Sequence, residues 1–79
     1  MDTRIITVAA ISPKYALHGP NDGPPSGFRF VYIQEGEAMI VSYRLAESLE
    51  RGHRYEVEVG KWWGRIPPYT RIKRIIRSL

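Results

Sequence analysis

From His53 to Gly60 the chain alternates without error: Tyr55, Val57 and Val59 occupy one parity, and Arg54, Glu56 and Glu58 the other. A period of two puts successive side chains on opposite faces of an extended chain, so this segment is a strand with one apolar face and one solvated face. A strand with one wet face must bury its other face against further strands or helices. The rest of the chain offers mainly strands. Arg4–Ile11 is a β-branched run stopped by Ser12 and Pro13. Phe28–Gln34 and Ala38–Leu45 alternate on either side of the turn residues Glu35-Gly36-Glu37, which predicts a hairpin.

In the first strand of that hairpin, Phe28, Phe30 and Tyr32 oppose Arg29, Val31 and Ile33. In the second, Met39, Val41, Tyr43 and Leu45 oppose Ile40, Ser42 and Arg44. Both faces therefore hold apolar side chains, as in a sheet with one face in a core and the other under a ligand, or a sheet packed on both sides. Ala46–Arg51 contains good helix formers but is stopped by Gly52, so a short helix or a turn is expected there. Thr70–Leu79 is read as a closing strand. Ile72, Ile75, Ile76 and Leu79 match helical spacing, yet the density of β-branched residues in so short a segment favours a strand.

Two segments break the pattern. Ser12–Gly27 gathers four prolines, three glycines, Asn21, Asp22 and Ser26 and can propagate neither helix nor sheet, so a long loop is expected across 12–27. Lys61–Tyr69 contains Gly64, Pro67 and Pro68 and is expected to be a second, rigid loop.

With 79 residues the chain is read as one domain, residues 1–79, near the smallest size at which a single core suffices. The absence of cysteine removes disulfides, thiolate metal sites and a cysteine nucleophile, and fits an intracellular location. No apolar run reaches the roughly 20 residues of a membrane span, and the opening Met1-Asp2-Thr3-Arg4 lacks a signal-peptide pattern, so a soluble, cytoplasmic protein without membrane partners is expected.

The formal net charge of +4 is unevenly distributed. All eight acidic residues precede Gly60, where Arg and Lys number six, whereas Gly60–Leu79 has six basic residues and no acid. Nine of the twelve basic residues are arginine, suited to phosphate forks and to stacking on rings; the same preference also fits a thermophilic source. Clustered cations beside exposed rings point to nucleic acid, because phosphates bind Lys and Arg through counterion release and unpaired bases stack on aromatic faces. The plain alternative is that both tryptophans are core residues and the charges form a solvated rim.

On the nucleic-acid reading, Trp62, Trp63 and Tyr69 supply stacking platforms worth roughly 1 to 3 kcal/mol per base. Adjacent residues of an extended segment face opposite sides, so one tryptophan meets ligand and the other belongs in the core. Gly60 is read as a bulge that resets the phase, which selects Trp63 as the exposed ring. Lys61, Arg65 and Arg71 position phosphates, with Arg29 and Arg44 as further donors from the strand faces. Lys14 and Tyr15 of the first loop, and Phe30 and Tyr32 of the hairpin, complete the candidates, although Phe30 and Tyr32 also read as core.

Catalysis and metal binding find little support. Glu35 and Glu37 flank a turn, and Glu56 and Glu58 lie on a solvated strand face with no nucleophile or oxyanion element beside them. His18 and His53 are isolated, so no metal site, no cofactor and no enzymatic activity are expected.

The segment Leu49-Glu50-Arg51-Gly52-His53-Arg54-Tyr55-Glu56-Val57-Glu58-Val59-Gly60 resembles the approach to strand four of OB-fold domains: leucine, turn, glycine, then an alternating strand. The order of elements along nearly the whole chain is similar too. The resemblance implies an all-β, five-stranded OB-like barrel with at most a short helix between strands three and four. The departure is the weak helix signal there, which leaves an SH3-like barrel open. OB-folds bind oligonucleotides, oligosaccharides or proteins through strands two and three and the loops joining strands one to two and four to five. Here the resemblance maps those loops to 12–26 and 61–69.

The leading expectation is thus a module that binds single-stranded DNA or RNA. The alternative is a protein-interaction module, a homodimer or a small subunit of a replication, transcription or telomere-like assembly, with Trp62, Trp63, Ile72 and Ile76 as its interface. A chromatin protein that binds duplex DNA is the third.

Overall fold

The structure is a computed structural model and describes residues 2–13, 27–62 and 69–79. Its elements are strand β1 (Asp2–Ile11), β2 (Phe28–Ile33), β3 (Ala38–Ser42), a one-turn helix α1 (Tyr43–Ala46), β4 (Arg54–Trp62) and β5 (Tyr69–Ser78). The strands close into a barrel in the order β1-β2-β3-β5-β4. This is the expected all-β, five-stranded, OB-like architecture, with a single short helix between β3 and β4.

Strand β1 makes closure possible because it serves two neighbours. Its first half pairs antiparallel with β4, from Asp2↔Val59 to Thr7↔Arg54. Its second half pairs antiparallel with β2, from Val8↔Ile33 to Ile11↔Val31, after a bulge between Val8 and Ala10 that bends the strand. On the far side, β3 runs parallel to β5, with Met39 opposite Thr70 and Ile40 opposite Arg71. Closure leaves no continuous open edge in a sheet this small.

The inward residues are those the alternation predicts. Ile6, Val8, Val31, Ile33, Met39, Val41, Tyr55, Val57 and Ile72 form one buried cluster, which Ala46 and Leu49 join from α1 and the segment after it. Full burial of such a side chain stabilises by about 1.5 to 3 kcal/mol. The phenol oxygen of Tyr55, also buried, accepts a hydrogen bond from the Glu50 amide at 2.9 Å. Gly36 and Gly52 adopt φ values of +94° and +82°, which a side chain would strain. Gly36 turns the β2–β3 hairpin, and Gly52 brings its amide to the Val8 carbonyl at 2.7 Å.

Three sequence expectations change. Strand β3 ends at Ser42 rather than Leu45, because the Ser42 hydroxyl accepts from the Leu45 amide at 3.2 Å and starts α1. The helix is accordingly at Tyr43–Ala46, the segment expected to be a short helix or a turn has turns at 47–48 and 51–52, and Tyr43, Arg44 and Leu45 leave the strand alternation. Gly60 is no bulge: β4 continues through it in register, with Gly60 opposite Arg71, Lys61 opposite Thr70 and Trp62 opposite Tyr69. Lys61, Trp62 and Tyr69 are therefore strand residues, and only 63–68 remain of the expected loop, outside the described residues. Most of the first loop, 14–26, lies outside them as well.

The β4–β5 pairing does contain bulges, but on β5. The register steps from Glu56↔Arg77 to Val57↔Ile75 and from Glu58↔Arg74 to Val59↔Ile72, leaving Ile76 and Lys73 as the extra residues.

Candidate functional site

Phe28, Phe30 and Tyr32 share the parity of β2 opposite to Val31 and Ile33, so their rings lie on the outside of the barrel. The ladder extends this surface: Phe30 pairs with Ile40, Ile40 with Arg71, Arg71 with Gly60, and Trp62 with Tyr69. Directly paired residues project to the same face. The outer side of β2, β3, β5 and the end of β4 thus carries five rings and one arginine.

The contacts within it are close. The Phe28 and Trp62 rings are 4.8 Å apart and tilted at 59°. Phe30 meets Tyr69 edge-on at 5.3 Å and Tyr32 at 6.1 Å. The Arg71 guanidinium carbon is 5.3 Å from the Phe28 ring centre and 5.9 Å from that of Trp62, within cation–π range of both. Phe30, 7% exposed, and Ile40, fully buried, are covered on this outer face and do not belong to the interior cluster. Tyr32, 42% exposed, presents the most accessible ring on β2.

Arg71 is unusual in its partners. Its Nε atom is buried and has no hydrogen-bond partner among the described residues. The neighbouring cations of β5 are matched by carboxylates: Arg74 Nε lies 2.6 Å from Glu58, Lys73 Nζ 3.8 Å from Glu58, and Arg77 Nε 2.7 Å from Glu56. The Arg74 hydrogen bond, followed by the nearby positive charges, holds the Glu58 carboxyl below its ordinary range. Gly60 leaves room for the Lys73 chain, whose Cδ is 3.0 Å from where a Cβ at position 60 would sit.

A second polar arrangement joins β1 to the hairpin. Arg4 donates twice to Glu37, at 3.0 and 3.1 Å. That fork, with a further hydrogen bond from Thr70, lowers the Glu37 pKa, and the same carboxylate raises that of Arg4.

Of the residues selected from sequence, the structure brings together Phe30, Tyr32, Trp62, Tyr69 and Arg71. Lys61 has the parity of Val57 and Val59, opposite to Trp62, and is exposed at the end of β4. Arg29 lies on the inward parity of β2, and its Nε donates to the Ser12 carbonyl at 2.9 Å. Arg44 is exposed on α1, away from the strand ladder that forms the aromatic face. Lys14, Tyr15, Trp63 and Arg65 fall outside the described residues. Because β4 runs unbroken through Gly60, Trp62 is the tryptophan on the outer parity, contrary to the bulge argument that selected Trp63. Ile72, assigned to an interface on the protein-interaction reading, is 1% exposed and belongs to the core.

Phe28 was missed as a site residue, although its parity with Phe30 and Tyr32 was the available signal. Among the described residues, no group of three or more His, Cys, Asp or Glu could hold a metal ion, and no helix is long and apolar enough to cross a membrane. Comparison with protein-family profiles, with curated proteins and with solved structures finds no match.

Proposed function

We propose that the protein is a small, non-enzymatic OB-like module that binds single-stranded DNA or RNA on the outer face of β2, β3 and β5. The observation that supports this is the set of rings Phe28, Phe30, Tyr32, Trp62 and Tyr69 on that face, two of which, Phe28 and Trp62, lie against Arg71. These rings lie outside the interior cluster, and Tyr32, Phe28, Trp62 and Tyr69 keep part of their surface exposed. The partly exposed rings of Tyr32, Phe28, Trp62 and Tyr69 offer apolar planes to bases, with buried Phe30 packed beneath, and stacking is tolerant of sequence because every base has a π-face. The face also coincides with the one that OB-folds use, and it joins the strand ends from which both long connections depart.

Titration of the purified protein with single-stranded DNA, single-stranded RNA and duplex, followed by tryptophan emission and by mobility shift, tests the reading. Quenching by single strands at low salt, with weaker response to duplex, is expected. No response to any of the three overturns it, and preference for duplex points to the chromatin alternative. A stable dimer that ignores all oligonucleotides points to a protein-interaction module.

A further inference from the structure

We infer that Arg71 is the phosphate anchor of this face, and that the remaining basic charge of β5 is withheld from ligand by Glu56 and Glu58. This inference rests on the proposed single-strand binding and specifies its mode: a ligand held mainly through its bases and fixed by one backbone phosphate.

The argument begins with the sequence surplus. Gly60–Leu79 has no acidic residue, so by composition it is a polycation. In the barrel β5 lies beside β4, whose outward residues include Glu56 and Glu58, and the pairing sets Arg77 opposite Glu56 and Arg74 opposite Glu58. The bulge at Lys73 brings a second cation to Glu58. Three cations thus face two carboxylates, and a phosphate approaching them meets both charges.

Arg71 escapes this. Its cross-strand partners are Ile40 and Gly60, neither of which can accept a hydrogen bond from it through a side chain. Phe28 and Trp62 lie against the guanidinium, a contact made through the flat face of the group and not through its N–H donors, of which the buried Nε–H has no partner among the described residues. A guanidinium positioned by rings, with no carboxylate beside it among the described residues, is suited to a phosphate oxygen pair. A lysine has no plane to lie against the rings and no fork to offer.

The salt dependence of oligonucleotide affinity tests this, because each neutralised phosphate of a single strand contributes about 0.7 to the slope of log affinity against log salt. Arg71→Gln is expected to lower the slope by about 0.7, while Arg74→Gln and Arg77→Gln leave it nearly unchanged. Arg71→Lys is expected to keep the slope and weaken binding roughly tenfold, by loss of the charge-assisted fork. A second readout uses the shielded Nε–H of Arg71, followed by nitrogen-15 NMR: its signal is expected to move with a nucleoside monophosphate and to stay in place with the nucleoside. If oligonucleotides bind but the slope is insensitive to Arg71, or falls equally in the Arg74 and Arg77 variants, the anchor is overturned while the binding function stands. If no oligonucleotide binds and the monophosphate leaves the Arg71 signal in place, both fall.

Discussion

The rings of Phe28 and Trp62 lie 4.8 Å apart, bringing the first residue of β2 against the last of β4 across two intervening strands. Arg71, on one of those strands, lies against both rings. The contact therefore couples the outer face mechanically as well as chemically. Removing either ring uncovers Arg71 and loosens the junction between β2 and the β4–β5 pair.

Phe28→Ala is expected to lower stability by about 1 to 2 kcal/mol, below the 3 to 5 typical of a fully buried phenylalanine because this ring is half-buried. Urea midpoints measure it, and the tryptophan emission of the folded variant should shift to longer wavelength as Trp62 gains water. An unchanged spectrum is inconsistent with the Phe28–Trp62 contact.

Two isoleucines of β5, Ile72 and Ile76, should separate by environment. Ile72→Ala is expected to cost about 2 to 5 kcal/mol, since the residue is fully enclosed. Ile76→Ala, at a bulge and 37% exposed, should cost less than about 1 kcal/mol. Equal losses in thermal or urea unfolding contradict the register of β5.

Acid should act through Glu37. Its folded pKa lies below the ordinary value of 4.5, so its contribution is fully present above pH 4.5 and is lost as pH falls through the lower, folded value. The pair with Arg4 is partly exposed, which limits the effect to about 0.2 to 1 kcal/mol. Glu37→Gln is expected to cost that much at neutral pH and to flatten the acid limb of the stability curve below pH 4.5, as followed by urea unfolding across the pH range.

Gly52→Ala is expected to cost about 1 kcal/mol or somewhat more, because φ is +82° although a Cβ would meet nothing within 4 Å. The penalty is one of backbone conformation. Oligonucleotide affinity of the folded variant should be unchanged, since Gly52 is not part of the aromatic face.

Much of the barrel was legible in the residues. The alternation in β4 named Tyr55, Val57 and Val59 as inward, and the hairpin was marked by Gly36 between two alternating runs. The ambiguity of β5 has a specific cause. Bulges at Lys73 and Ile76 place Ile72 and Ile75 three residues apart on the inward side, so a strand acquires the spacing of a helix. A bulge is defined by the partner strand, which a single segment cannot reveal. The same holds for Gly60: glycine permits a bulge, but continuous pairing with β5 decides against one and turns Trp62 outward.

By itself the sequence determined the number of strands, the interior parity of most of them, and the presence of rings and cations near the C-terminus, because these depend on local periodicity and composition. Only the tertiary structure decided which rings meet and which cations are neutralised. Phe28 joins Trp62 because the barrel closes, and Glu56 and Glu58 take Arg77, Arg74 and Lys73 because β4 and β5 are paired. Among the described residues Arg71 is left among rings rather than beside a carboxylate for the same reason: its neighbours in the ladder are Ile40 and Gly60, neither of which carries a charge.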